Sequence, residues 1–363
     1  MRIKNIQIKN FRNYPELDLS ITNDVVVLSG PNAVGKTNLL ESIYFASLFK
    51  SFRDDTEYIF LKDQDSAEIR IQIEKNNEDV LLEVFLAKRD KVYANFQING
   101  VKKKRKEAQG FMRVVIFDPT DVDMFSKTPD SRRKYLNMVL SQKSKQYLDL
   151  IGSYKKILYQ KTRLLQDIRL NQGSLTTLDS WNKQLVEVGS KIIFERKAFI
   201  NYLNQNIAEV YSAISGFHRP IEVSYETLTG ESQLDIQNAL EQKLQNYQQK
   251  EIASGACLAG PHRDDFFLKS DGLFLSPFSS RGELRGQVLA LKILELEYLS
   301  QEGDKPVLLL DDVLSELDET RRMFLLKYLQ GKFQTFITTT HPLEMPAQHI
   351  TLTPAVVEED RGE

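Results

Sequence analysis

The sequence predicts an α/β fold in which a helical insertion divides one strand-and-helix domain into two sequence segments. Three observations carry this. Short, wholly apolar runs at Val25–Leu28 and Val307–Leu310 suit parallel strands covered on both faces. Between them, two long stretches repeat apolar residues every three or four positions, the spacing of amphipathic helices. The length, 363 residues, exceeds that of a simple single domain.

The elements follow in order. Arg2–Lys9 alternates polar and apolar residues (Ile3, Ile6, Ile8), as a half-buried strand does. Glu68–Ile73 and Val80–Leu86 read as strands of a meander, and Tyr93–Gly100 ends in an Asn-Gly pair, a strong hairpin signal. Val114–Phe117 is a further apolar strand. From Arg132 to about Leu170 the apolar stripe is Tyr147, Ile151, Tyr154, Leu158, Leu165 and Ile168. After a break at Asn171–Ser174, a second stripe runs from Leu178 to Ile214. Each helix of roughly 37 residues would reach about 55 Å, and the two should pack antiparallel. A third helix is expected at Leu234–Tyr247. Strand character returns from about Ala256, followed by a helix at Gly286–Leu299, the Val307–Leu310 strand, a helix at Glu319–Leu329 and a strand at Phe333–Thr339. The acidic tail, Val356–Glu363, should fray. The expected boundaries are 1–128 and 253–363 for the split domain and 129–252 for the helical lobe.

Composition excludes several classes. Forty-eight Lys and Arg against 50 Asp and Glu leave a net charge of -2, too balanced for a polyelectrolyte tail protein or for global steering onto nucleic acid. The single cysteine, Cys257, excludes an internal disulfide and a cysteine-rich metal site. No apolar run approaches the length of a membrane span, and Met1–Lys4 does not open a signal peptide. The expected setting is the cytosol, without a membrane partner.

Gly30-Pro31-Asn32-Ala33-Val34-Gly35-Lys36-Thr37 is a complete G-x-x-x-x-G-K-T phosphate loop, between an apolar strand and a helical stretch that begins at Asn38. Its glycines let successive backbone N–H groups wrap phosphates at a helix N-terminus. Lys36 would reach the β and γ phosphates of ATP, and Thr37 would hold Mg²⁺. Gly30, Asn32, Gly35 and Asn38 complete the expected nucleotide contacts. At the end of the Val307–Leu310 strand stand Asp311 and Asp312. Asp311 is expected at the metal, and Asp312 is a candidate for positioning the attacking water.

Lys36 and Asp311 lie 275 positions apart, too far for a compact nucleotide kinase or small GTPase. Just before the carboxylates, Ser280-Arg281-Gly282-Glu283-Leu284-Arg285 resembles the signature of ABC-type ATPases. Ser315-Glu316-Leu317-Asp318 and Thr340-His341 resemble that superfamily's D-loop and switch histidine in order and type. The resemblance implies catalytic roles for Ser280 and His341 and nucleotide contacts from Gly282 and Asp318. Because a signature serine serves the nucleotide of the opposite subunit, it also implies an ATP-sandwiched homodimer.

More specific motifs narrow the family. Lys9-Asn10-Phe11-Arg12-Asn13-Tyr14, Pro129–Asn137, Gly260-Pro261-His262-Arg263-Asp264-Asp265 and Asp311–Asp318 together resemble the RecF family of bacterial recombination mediators, over nearly the whole chain. The resemblance implies an α/β P-loop NTPase head of the ABC/SMC type, with a mixed-sheet core and a helical lobe II. It implies ATP-dependent dimerisation on DNA, a role beside RecR and RecO at gaps, and weak, DNA-stimulated ATP hydrolysis. An Asp-Asp pair stands where most ABC ATPases have Asp-Glu, which implies slow hydrolysis and leaves the role of Asp312 open. Arg12 is open between a nucleotide contact and a surface arginine. Arg263 and Asp264 are open between organising the site and forming a buried ion pair. Lys102, Lys103, Lys104, Arg105 and Lys106 form the densest basic run, either a DNA-facing patch or a solvated strand edge. Arg132, Arg133 and Lys134 begin a helix, where the dipole disfavours cations, so an acidic contact or a partner is expected there. The competing function is a cytosolic ABC-type adaptor or translation factor that forms no DNA clamp.

Overall fold

Alternating strands and wholly apolar strands sort into different sheets. The computed structural model describes residues 1–53, 56–125, 127–216, 218–274, 281–301, 303–340 and 343–353. The chain forms two compact units. One comprises Met1–Asp121, Ala213–Ser215 and Arg285–Glu363; the other comprises Val122–Ser212 and Gly216–Leu284.

The chain begins with β1 (Arg2–Phe11), β2 (Tyr14–Ser20), β3 (Val25–Ser29) and α1 (Lys36–Leu48). A run of strands follows: β4 (Ser66–Lys75), β5 (Glu78–Lys88), β6 (Val92–Ile98) and β7 (Val101–Lys103). The short helix α2 (Arg105–Ala108) and the strand β8 (Val114–Phe117) come next. The insertion carries α3 (Pro129–Lys143), α4 (Lys145–Arg169), α5 (Leu175–Ser215), β9 (Ile221–Glu226), α6 (Gln233–Ser254), β10 (Asp265–Ser270) and β11 (Leu273–Phe274). The last segment holds α7 (Arg281–Ser300), β12 (Val307–Leu310), α8 (Val313–Glu316), α9 (Glu319–Leu329), β13 (Thr335–Thr339) and β14 (Gln348–Thr351).

In the first unit, the alternating strands form a six-stranded antiparallel sheet in the order β2-β1-β4-β5-β6-β7. Ala67, Ile69, Ile71 and Ile73 of β4 share its buried face, as the period of two dictates. The apolar strands β3, β8 and β12 fall in a five-stranded parallel sheet, β14-β3-β13-β12-β8. All four residues of β12 and all five of β13 are buried, consistent with cover on both faces. The parallel register brings the carboxyl ends of β3 and β12 to one edge, with β13 between them. Ligand sites of open α/β sheets form at such an edge.

The second unit differs from its sequence-based expectation in three ways. The helix expected from Arg132 to Leu170 is two helices, because Ser144 leaves helical geometry (φ -137°, ψ 122°) and its hydroxyl caps α4 by accepting the Tyr147 N–H. The apolar stripe read from the sequence, Tyr147 to Ile168, lies wholly in α4 and so gave no sign of the break. The helix expected from Leu178 begins at Leu175 and runs for 41 residues, about 60 Å. The unit also extends past residue 252: β10 pairs along its length with β9, a strand the helical pattern concealed, in a small antiparallel sheet. In the first unit, β2 and β14 are likewise additions to the expected strands.

Buried charges hold the second unit together. Arg132 donates two 2.7 Å bonds to the Asp265 carboxylate, and Arg133 donates to the Asp264 carbonyl at 3.0 Å. These are the acidic and backbone contacts that explain two cations at a helix start. Arg263 does not pair with Asp264; its guanidinium donates to the Cys257 carbonyl. Asp264 instead accepts from the Tyr225 hydroxyl at 2.7 Å and faces the buried Arg196 guanidinium at 3.6 Å. Arg196 donates further to the Pro261 carbonyl and to Asn137. Burial pushes His262 down to about 4, so its imidazole is neutral near pH 7. Its Nε2 lies 3.1 Å from the Cys257 carbonyl, which can only accept, and its Nδ1 lies 2.7 Å from the Tyr154 hydroxyl. That pairing assigns the proton to Nε2.

Between α4 and α6, Lys161 and Glu251 pair at 2.7 Å with both side chains almost wholly buried. Replacing Lys161 by Met strands a buried carboxylate and should cost about 3–5 kcal/mol. Adding Glu251→Gln, which keeps an acceptor for the Leu258 N–H, should recover most of that loss. Urea unfolding of the single and double variants, followed by helical circular dichroism, measures both.

Candidate functional site

The phosphate loop leaves β3 and enters α1 through three left-handed backbone positions. Gly30 has φ 150°, Ala33 65° and Gly35 113°. A Cβ on Gly30 would stand 2.6 Å from the Leu352 carbonyl oxygen, and one on Gly35 would meet Asn13 and the Tyr14 hydroxyl within 2.8 Å. Both glycines are therefore required by space as well as by φ. Asn13 and Tyr14 brace the loop from outside: the Asn13 amide donates to the Val34 carbonyl at 3.0 Å and the Tyr14 hydroxyl to the Gly35 carbonyl at 3.1 Å. Lys36 arches back along the loop and donates to the carbonyls of Gly30 (2.7 Å) and Pro31 (2.8 Å).

The carboxylate expected beside the loop is there. The Thr37 hydroxyl donates to Asp311 Oδ1 at 2.9 Å. The same oxygen accepts from the Thr338 hydroxyl at 2.8 Å, and that hydroxyl in turn accepts the Asp312 N–H at 2.8 Å. Thr338 on β13 thus fixes both aspartates, a role invisible in the sequence because a threonine inside an apolar strand reads as a strand former. Burial raises the Asp311 carboxyl above its usual value, with the two threonine hydroxyls working against the shift. Asp312 follows in a left-handed conformation, φ 52°, and opens α8.

Other expected residues are placed as follows. Asn38 donates to Asn13 and accepts from Arg53 at 2.9 Å, so Arg53, which the motifs did not reveal, reaches the start of α1. Arg12 forms a two-bond pair, at 2.9 and 2.6 Å, with Glu41, which is fully buried in α1, and donates to the Tyr58 carbonyl. It is neither a surface arginine nor directed at the phosphate loop by these contacts. Asn32 lies exposed in the loop, and Gly282 lies in the first turn of α7. Asp318 caps α9, accepting the Arg321 N–H at 2.9 Å and pairing with its guanidinium. Ser280 and His341 fall outside the described residues, as does the tail from Pro354.

Deeper in the same unit, Lys292 of α7 pairs with Asp121 at 3.0 Å, just after β8. Burial pushes Asp121 up to about 6. Phe117, the last residue of β8, accepts the Asp311 N–H at 3.0 Å. The segment after β8 therefore runs from beside Asp311 to α7.

These residues fit a nucleotide and its magnesium. Left-handed turns beside a helix N-terminus form a nest for phosphate oxygens, and Lys36 supplies a cation within it. Thr37 and Asp311 offer hard oxygen donors side by side, suited to magnesium, which completes its shell with phosphate and water. No cluster of three or more His, Cys, Asp or Glu among the described residues is disposed to cage a metal by itself.

Residues 2–360 match the family described as the RecF/RecN/SMC N terminal domain. The chain is 38% identical over 349 residues to the DNA replication and repair protein RecF of Bacillus thuringiensis (strain Al Hakam), covering 94% of this chain and 92% of that one. The RecF protein of Bacillus cereus (strain B4264) matches equally. The chain belongs to the RecF family. A solved structure of the recombination mediator protein RecF with ATP, in the RecFOR pathway, superimposes with a TM-score of 0.90 at 31% identity over 98% of this chain and 96% of that one. An Smc head bound to the C-winged helix domain of ScpA superimposes at 0.53 with 13% identity, a likeness of fold. No helix among the described residues is long and apolar enough to cross a membrane.

The raised carboxyl of Asp311 makes a pH prediction for this RecF-family site. Metal and phosphate binding needs the anion, so affinity for Mg-ATP should fall on acidification before an ordinary aspartate, near 3.9, would titrate. Thr338→Val removes a hydroxyl that favours the anion and should move the fall upward by about one pH unit. Titration with a fluorescent ATP analogue across the acid range, wild type against variant, measures the displacement.

Proposed function

We propose that this chain is an ATP-dependent, DNA-binding switch in DNA replication and repair, acting as a recombination mediator at gaps. The observation that carries the reading is the Thr37–Asp311 bond at 2.9 Å, which assembles phosphate loop and metal-site carboxylate in one sheet edge. Family membership supplies the biological setting.

In this reading, Lys36 holds the β and γ phosphates, and Thr37 with Asp311 holds the metal. Bound magnesium would neutralise charge developing on the phosphates. Asp312, its backbone pinned by Thr338, orients the attacking water. An aspartate is one methylene shorter than the glutamate of most ABC ATPases, which supports slow turnover and a nucleotide used mainly as a timer. Ser280 and Gly282 complete the site of a second copy, so ATP joins two chains around duplex DNA and hydrolysis releases them. RecR and RecO are the proposed partners, in keeping with the RecFOR pathway of the solved relative.

Sedimentation with ATP, ADP and a non-hydrolysable analogue, with and without gapped duplex, tests the switch. ATP should convert monomer to dimer and tighten DNA binding; a chain that stays monomeric and binds DNA equally without ATP refutes it. Lys36→Ala should abolish nucleotide binding. Ser280→Ala should keep nucleotide binding and lose the ATP-dependent dimer, and an unchanged dimer would remove Ser280 from its assigned role.

A further inference from the structure

The hairpin of β6 and β7 leaves part of a strand edge without a paired strand among the described residues. β7 pairs only with Phe96, Gln97 and Ile98, across a turn in which Asn99 (φ 51°) and Gly100 (φ 73°) are both left-handed, the geometry of a two-residue hairpin. In such a hairpin Ile98 and Val101 exchange both backbone bonds, and bonded positions alternate from there. The N–H and C=O groups of Ala94 and Val92 therefore point to the side β7 occupies, whereas Asn99 bonds to Leu81 on the other. Past Lys103 the chain leaves strand geometry for α2, which stays beside β6, and no described strand meets Val92–Asn95 along that edge.

A groove of about 760 Å³ opens at this place. Its floor includes Phe45, Phe49 and Phe96, the last two with ring centroids 3.8 Å apart. One wall carries Lys102, Lys103, Lys104 and Arg105, and Glu107 is the only acid among its lining residues. Three features thus coincide: unpaired strand backbone, an apolar floor and an excess of positive charge. Duplex DNA answers the charge alone, since a helix about 20 Å wide cannot enter the groove and has no use for a strand edge.

We infer that this groove binds an extended acidic segment of a partner protein, which adds as a strand beside Val92–Asn95. Four residues of such a strand span about 13 Å. Alternate side chains face opposite ways, so a segment alternating apolar and acidic residues seats the former over the phenylalanines and leaves carboxylates within reach of the lysines. The inference is independent of the nucleotide switch.

The test uses the full chain and a fluorescein-labelled, capped peptide of alternating Asp and Val, read by anisotropy, with hydrogen exchange of the Val92–Asn95 amides. Binding should slow exchange at Val92 and Ala94. Lys102→Glu with Lys104→Glu should weaken the peptide at least about tenfold. Ala94→Pro removes one outward N–H at a position where an edge strand tolerates proline, and should weaken the peptide comparably without altering ATP binding. Absence of binding, or binding that leaves those amides unprotected, overturns the inference. So does a short single-stranded or duplex DNA that displaces the peptide and loses affinity in the same lysine variants, which would assign the basic run to nucleic acid.

Discussion

One hydroxyl holds the nucleotide site in register. Thr338 donates to Asp311 and accepts the N–H of Asp312, while Asp311 accepts from Thr37. Three residues widely separated in sequence meet at the carboxyl edge of a parallel sheet, and no single strand could bring them together. The geometry depends on β13 lying between β3 and β12, because only then does the strand bearing Thr338 pass between loop and carboxylate. Burial makes the Asp311 anion costly, and the two donated hydrogen bonds offset part of that cost.

The second unit also satisfies buried charges, through ion pairs. Its motif Gly260–Asp265 is engaged internally: Asp265 by Arg132, Asp264 by Tyr225 and Arg196, His262 by Tyr154 and the Cys257 carbonyl. Gly260, with φ 130°, lets the chain pass against the Tyr154 hydroxyl, where a Cβ would collide. Through these bonds the motif ties α3, α5 and the small sheet together.

What was legible in the sequence follows from this division. The phosphate loop and the Asp311 strand were readable because their chemistry is local: a glycine turn before a helix, and a carboxylate after four buried residues. Thr338, Asn13 and Arg53 were not, since each acts through a partner distant in sequence and none alters the local pattern. Ser144 escaped notice for another reason. The apolar stripe lies wholly in α4, so periodicity gave no sign of the break. β9 and β14 were hidden because they carry few buried apolar residues, and pairing rather than composition defines them.

Charge sums were the least informative quantity, and the structure says why. Arg12, Arg132, Lys161, Arg196 and Lys292 are each set against Glu41, Asp265, Glu251, Asp264 and Asp121 in turn. Each pair leaves the surface without changing the net of -2. Neutrality of the whole chain therefore says nothing about any one face. The run from Lys102 to Lys106 shows the converse: it is plain in the sequence, yet its meaning depends on where β7 stops. A longer β7 would have covered Val92–Asn95 and left the lysines as a solvated edge. Because the strand ends at Lys103, Lys102, Lys103, Lys104 and Arg105 line a groove together with Phe45, Phe49 and Phe96.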